Sequence, residues 1–209
     1  MLDITKQFSK SLQANISTAI LLPDNYNSVN TVYNAYYILS ETNPFIGSNQ
    51  FQELVNKKNI ALIAIFPSLN IKKNVLLFES FKSKYDFSYL YQESIINQVI
   101  PTLERIYRLN NNYMNKSVIG LNNMALIAYT IAHDFTSSFG HVYSINLDIT
   151  PFKAEFLAYM KSKFNPNIGI HISFTDDTYN YASNIYKMFG ITELAENNSS
   201  NILDLIQKL

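Results

Sequence analysis

The chain has 209 residues, no cysteine and a formal net charge of zero, and its length is enough for one domain with a substantial core. The absence of cysteine excludes disulfides, thiolate metal sites and a cysteine nucleophile, and the balanced charge argues against a nucleic-acid partner. The first residues lack the apolar stretch of a signal peptide, and the apolar runs are too short to span a bilayer. We therefore expect one cytoplasmic domain over residues 1–209.

The first third of the chain predicts three strands and a helix. Residues 15–23 and 31–39 are rich in apolar, β-branched and aromatic residues and predict two strands, which should pair antiparallel because no helix separates them. Helical spacing predicts a helix over 49–58, and the apolar run at 59–67 predicts a strand buried on both faces. Residues 68–84 predict an irregular excursion with a short extended piece, NVLLF.

From residue 85 onward, helices and strands alternate. Apolar residues at helical spacing predict a helix over 85–109, in which Pro101 should cause a kink or a restart. The remaining strands are predicted at 116–120, 139–146 and 167–174, and the remaining helices at 123–133, 151–164, 178–190 and 199–209. This alternation is typical of an α/β fold with a mostly parallel central sheet and helices on both faces.

Several motifs occur in an order that resembles a known family. The segment YQESIINQVIPTLERIYRLN contains Glu93, Pro101, Glu104 and Tyr107 at the spacing of that family's helix, and it is followed by SVIGLNNMALIA, which falls on the family's Ile-x-Gly-Leu-Ser-Met-Gly-Gly turn. Over roughly residues 14 to 190 the chain resembles the α/β-hydrolase fold. Within that fold it resembles the "Putative esterase" family, which includes esterase D and the mycolyltransferase antigens.

The resemblance implies a nucleophile turn whose chemistry has changed. The nucleophile position falls on Asn122, and the backbone N–H that would donate to an oxyanion falls on Asn123. Gly120 is retained two residues before the nucleophile position, but Met124 replaces the glycine two residues after it. Asn tolerates the positive φ that such a turn requires, so Asn122 either keeps the turn or also bonds a ligand.

The resemblance also places the other parts of an esterase site. The His-Gly oxyanion loop of the family falls on Ser40 and Glu41, and the acid position falls on Asp177, with Asp176 as the alternative. Both aspartates could instead cap a helix that starts near Thr178. No histidine follows His171, so the base position of the family has none.

These departures favour a catalytically inactive relative that acts as a binding or interaction module for a small molecule or protein. An Asn amide is not a nucleophile in this chemistry, and the proton acceptor is missing. The ligand-binding candidates are Ser40, Glu41, Asn122 and Asn123. We expect no cofactor and no metal, since the three histidines share no metal-ligand spacing. The sequence leaves homo-oligomerisation open.

Two alternatives remain. In the first, the chain is a hydrolase with a rebuilt site, in which Ser40, Asp177 and a histidine such as His141 converge. In the second, it is a structural subunit that uses the aromatic residues of 81–91 as an interface. We expect His133 to interact with a helix C-terminus, and His141 and His171 to be hydrogen-bonded structural residues.

Overall fold

The computed structural model describes residues 1–76, 86–174 and 202–208, and within these residues seven strands form one sheet. The strands are β1 (Leu2–Ser9), β2 (Ala14–Leu21), β3 (Ala35–Leu39), β4 (Ala61–Pro67), β5 (Lys116–Leu121), β6 (His141–Leu147) and β7 (Gly169–Phe174). They lie in the order β1-β2-β4-β3-β5-β6-β7. The β1–β2 and β2–β4 pairs are antiparallel and the others are parallel, which confirms a mostly parallel sheet that starts with antiparallel strands.

Helices cover both faces of this sheet. The described helices are α1 (Asn49–Lys58), α2 (Leu69–Leu76), α3 (Phe87–Ser94), α4 (Ile100–Ile106), α5 (Ala125–Asp134), α6 (Lys153–Lys163) and α7 (Ile202–Lys208). One core lies between the sheet and α3, α4 and α5, and a second lies between the sheet and α1 and α7. A third joins α5 and α6 to the end of β6. In the part of the chain that the structure describes, no helix is long and apolar enough to cross a membrane.

The inner strand β4 shows how the apolar pattern determines which core each side chain enters. Ala61, Ile63 and Ile65 pack into the first core, whereas Leu62 and Ala64 pack into the second. Successive side chains of a strand point to opposite faces, so a strand that is apolar at every position is stable only between two layers. The predicted burial of this strand on both faces is confirmed.

The predicted antiparallel pairing of the strands at 15–23 and 31–39 is wrong. These segments correspond to β2 and β3, and β4 lies between them and pairs with both. Because β4 occupies the place between them, β2 and β3 do not pair directly. The antiparallel partner of β2 on its other side is β1, a strand that the sequence reading missed because its residues are mostly polar and exposed.

The long helical region predicted over 85–109 restarts near Pro101, as expected. Helix α3 is followed by a π-helical turn, Ile95–Val99, and then by α4. The N–H of Ile100 bonds to the carbonyl of Ile95, five residues back. Proline lacks an N–H, and its ring clashes with the carbonyl four residues earlier in an α-helix. The wider turn therefore accommodates Pro101 without ending the helical layer.

Two other predictions concern the region around residues 68–91. Residues 69–76 form helix α2, so the extended piece predicted at NVLLF is wrong over its first three residues. The rest of that piece, and Phe81 and Tyr85 of the proposed aromatic interface, lie outside the described residues. Of the aromatics that follow, Tyr91 is fully buried and Tyr89 packs on Phe135, with ring centroids 5.8 Å apart. Tyr91 is therefore part of the core and unavailable to a partner.

Candidate functional site

The turn between β5 and α5 places Asn122 at its apex. Asn122 has φ 49°, in the left-handed region, and begins a single 3-10 turn that leads into α5. Its side chain lies at the carboxyl end of a parallel strand, the edge at which α/β sheets place their sites. The prediction that Asn122 keeps a turn at positive φ is confirmed, because Asn accepts this conformation better than most residues.

Gly120 lets the strand and the helix of this turn approach closely. A Cβ atom at Gly120 would lie 2.3 Å from the carbonyl oxygen of Met124 and 2.6 Å from the Cβ of Ala128. Met124 itself is fully buried in the first core. The hydroxyl of Ser144 in β6 donates to the carbonyl of Ala125, 2.9 Å away, and holds the start of α5 against the sheet.

The amide of Asn122 is held by a second asparagine. The Oδ1 atom of Asn122 accepts a hydrogen bond from the Nδ2 of Asn146, at 3.1 Å. Asn146 interrupts the end of β6 with φ 56°, and its backbone N–H donates to the Oγ of Ser173 in β7, at 2.9 Å. The sequence reading missed Asn146, although a polar residue at the carboxyl end of a predicted parallel strand was the available signal.

The loop after β3 brings a carboxylate to the same edge. Glu41 accepts a hydrogen bond from the Nδ2 of Asn123 at 2.8 Å, and its other oxygen lies 2.8 Å from the Nζ of Lys72 in α2. The hydrogen bonds from Lys72 and then Asn123 lower the pKa of the Glu41 carboxyl, so it is an anion at neutral pH. Lys72 is thus part of this cluster, although the sequence alone did not mark it as a site residue.

Ser40 is close to this group in the chain, but its hydroxyl turns into its own loop. Its Oγ donates to the carbonyl of Thr42 at 2.7 Å, and its N–H bonds to the carbonyl of Ile65 at 3.1 Å. These two hydrogen bonds hold the loop to which the family resemblance assigns oxyanion binding. Asp176 and Asp177 lie outside the described residues.

The histidines are placed away from this edge. Leu121 pairs with Ile145 at the level of the site, and His141 lies four residues earlier on the same strand, about 13 Å away at the rise of a β-strand. His141 therefore does not meet Ser40. His171 pairs with Tyr143, and their rings stack with centroids 4.4 Å apart.

His133 lies in the last turn of α5, as predicted, but it is buried. Its Nδ1 atom is 2.9 Å from the carbonyl oxygen of Tyr129, and Nε2 has no hydrogen-bond partner within the described residues. Burial lowers the pKa of the ring, so His133 is neutral rather than a cation at the helix end. In β6, the Nδ1 of His141 is buried and has no hydrogen-bond partner in the same part of the chain.

The side chains at the carboxyl edge of the sheet form a polar cluster. Asn122, Asn123 and Asn146 supply amides, and Glu41 and Lys72 supply one charge of each sign. Among the described residues, no group of three histidines, cysteines or carboxylates could hold a metal ion.

A mostly parallel sheet covered on both faces, with a strand–turn–helix at positive φ on its carboxyl edge, defines an α/β-hydrolase-type protein. The chain belongs to the "Putative esterase" family, whose model matches residues 9–171. No curated protein matches its sequence.

Solved structures of esterases and serine hydrolases share the fold. A ferulic acid esterase is 14% identical with a TM-score of 0.68, over 91% of this chain and 86% of that one. A serine hydrolase described as IroE-like, from Shewanella oneidensis, is 13% identical with a TM-score of 0.69, over 93% and 70%. An S-formylglutathione hydrolase from Staphylococcus aureus is 9% identical with a TM-score of 0.66, over 91% and 87%. At these identities, the likeness establishes the fold.

Proposed function

We propose that this member of the esterase family is a catalytically inactive binding module, built as a single domain, whose ligand contacts the carboxyl edge of the sheet around Asn122. The observation that carries the proposal is the amide at the apex of the turn, with its oxygen bonded to Asn146. Ester hydrolysis by the nucleophile–base route of this fold needs a hydroxyl at that point and a base to take its proton. An amide supplies neither a nucleophile nor a proton for transfer.

The charge next to the turn supports the same proposal. An ester hydrolase stabilises the developing oxyanion with donors and positive potential. Here the carboxylate of Glu41 accepts from Asn123, the residue after the turn apex, and is ionised at neutral pH. This carboxylate engages the side-chain donors of Asn123 and Lys72, so an oxyanion formed at this point would compete with it for them.

The same groups suit the binding of a polar ligand. Asn122 and Asn123 are exposed, and Glu41 and Lys72 are half-buried. Each amide can donate and accept, and the ion pair offers both charges. A small molecule, or a loop of a protein, with donors and acceptors on one side fits this arrangement.

A fluorophosphonate probe tests the loss of catalysis directly. Separate samples of the chain are incubated with the probe and with feruloyl esters, S-formylglutathione and short-chain aryl esters, beside an active ferulic acid esterase. We expect no labelling and no turnover above the buffer rate. The matched variant Asn122→Ser should stay inactive as well, since restoring the hydroxyl does not restore a base. Stoichiometric labelling of the unaltered chain would overturn the proposal.

A hydrolase with a rebuilt site is the alternative, and the family and the fold agree with it equally. The observation that favours it is that Lys72 pairs with Glu41, the residue after Ser40, so an amine lies beside the loop that carries this hydroxyl. Turnover in the ester panel that is lost in Ser40→Ala or Lys72→Met, and kept in Lys57→Met on α1, would establish this alternative.

A further inference from the structure

The edge strand β1 exposes an apolar stripe on one face. Leu2, Ile4 and Phe8 are 43%, 54% and 51% exposed, and Lys6 completes the alternating row. The residues between them point to the opposite face, where the Tyr107 hydroxyl donates to Asp3 and Thr5 bonds to Thr18 at 2.6 Å. Within residues 1–76, 86–174 and 202–208, no strand pairs with the outer side of β1.

The hydrogen bonds to β2 fix which backbone groups of β1 point outward. Met1 exchanges both backbone bonds with Leu22, at 2.8 and 2.9 Å. Bonded and non-bonded pairs alternate along an antiparallel ladder. Every second residue from Met1 therefore bonds β2, and the N–H and C=O groups of Leu2, Ile4, Lys6 and Phe8 face the open edge. The exposed side chains and the outward backbone groups belong to the same four residues.

We propose that β1 pairs with β1 of a second copy of this chain, antiparallel about a two-fold axis at Thr5, and joins the two sheets into one. In this register Leu2 lies opposite Phe8 of the second copy, and Ile4 lies opposite Lys6. All of these residues present outward backbone groups, so each opposed pair can exchange two hydrogen bonds. A two-fold interface uses one patch on both partners, and β1 is complementary to itself in this sense.

Charge selects this register from its neighbours. An axis at Lys6 would place the two lysines directly opposite each other, which destabilises a strand pair. An axis at Ile4 would place Leu2 opposite Lys6 and leave Phe8 without an opposite residue. Only the axis at Thr5 pairs the full row of outward residues.

One contact within the chain competes with the pairing. The Nε2 of Gln98 donates to the backbone oxygen of Phe8 at 2.6 Å, which occupies one of the outward acceptors. The pairing bonds the same oxygen to the N–H of Leu2 of the second copy. Truncation of the glutamine side chain in Gln98→Ala should therefore strengthen the association.

The mass of the chain across a dilution series tests the proposal. Because a single strand pair makes a small interface, we expect a reversible dimer between about 1 and 500 μM. Ile4→Lys sets a lysine opposite Lys6 of the second copy and should weaken the dimer at least about tenfold, since the change enters the interface twice. Ile4→Glu sets a carboxylate there and should keep or tighten it.

The two charge variants separate this register from a non-specific apolar contact. An apolar contact would lose affinity equally in Ile4→Lys and Ile4→Glu, and that result would overturn the proposal. Val32→Lys, at another exposed apolar residue, is the control and should leave the dimer unchanged. A mass that stays monomeric over the whole range, or that exceeds a dimer, would overturn it too.

Hydrogen exchange gives a second, residue-level readout. On concentration, the amides of Leu2, Ile4, Lys6 and Phe8 should gain protection, whereas those of Asp3, Thr5 and Gln7 should not change because they already bond β2. Equal gains at both sets, or a gain at neither, would contradict the assigned direction of the backbone groups. The test does not depend on what binds near Asn122, since β1 and β5 are separated by three strands.

Discussion

The parallel strands of the sheet end at its carboxyl edge and begin at its amino edge. Each of these edges carries a glutamate–lysine pair, and the two pairs differ in burial. At the carboxyl edge, Glu41 and Lys72 lie 2.8 Å apart with side chains 36% and 27% exposed. At the amino edge, Glu104 of α4 and Lys116 of β5 lie 2.6 Å apart with side chains 18% and 9% exposed, and the Tyr37 hydroxyl also donates to Glu104, at 3.4 Å.

The difference in burial predicts a difference in how much each pair contributes to stability. Water screens the exposed pair, so its loss costs the fold little. Removal of one partner from the buried pair leaves a charge without compensation in the core. Loss of one partner should therefore destabilise the fold more at the amino-edge pair than at the carboxyl-edge pair.

The largest effect is expected where the backbone of the carboxyl edge is most tightly packed. Gly120→Ala places a methyl group 2.3 Å from the carbonyl oxygen of Met124, so α5 must shift. We expect the free energy of unfolding in urea to fall by more than about 3 kcal/mol. Gly47→Ala is the control, because φ there is +76° with nothing within 4 Å, and strain alone should cost about 1 kcal/mol. Equal losses in both variants would contradict a packing requirement at Gly120.

The buried pair at the amino edge should give the next largest effect. Glu104→Ala leaves the Lys116 ammonium without its partner, and we expect a loss of about 2–3 kcal/mol in urea unfolding. The double variant Glu104→Leu with Lys116→Met removes both charges and should recover at least half of that loss. A double variant as unstable as the single one would show that the pair stabilises the fold by attraction.

The sequence predicted those elements of the fold whose residue pattern lies within one continuous segment. The apolar run of β4 predicts its two covered faces, and Pro101 predicts the restart of its helix. Strand β1 lacks such a signal, since its core-facing residues are polar and its apolar ones are exposed. Its place depends on hydrogen bonds to β2, which no local pattern shows.

The candidate site also contains residues that the sequence predicted and residues that it did not. The turn at Asn122 follows from one continuous segment, and its positive φ was predicted. Asn146 and Lys72 come from other segments, and they join the site only because parallel strands end at a common edge. Their residue types are too common in this chain to stand out. Contacts of this kind need the tertiary structure.

His133 should make stability depend on pH, to a smaller extent. Burial holds its pKa in the folded state below the ordinary value of 6.5, so the folded state favours the neutral ring. This contribution is full above pH 6.5 and is lost as the pH falls from there through the lower folded pKa. Between the two values the slope approaches about 1.4 kcal/mol per pH unit. His133→Phe should flatten the pH dependence of urea unfolding in this range, and an unchanged slope would contradict the assignment.

The smallest effect is expected at the pair of the carboxyl edge. Glu41→Gln removes the attraction to Lys72 and keeps a side chain that can still accept from Asn123, so unfolding should change by less than about 1 kcal/mol. Because the bonded anion has a lowered pKa, the small contribution that remains is present at neutral pH and is lost as the pH falls through that pKa. Urea unfolding at neutral and at acidic pH, with Lys72→Met as the partner variant, measures it. A loss as large as that of Glu104→Ala would contradict the contrast between the two edges, and would give Glu41 a structural role.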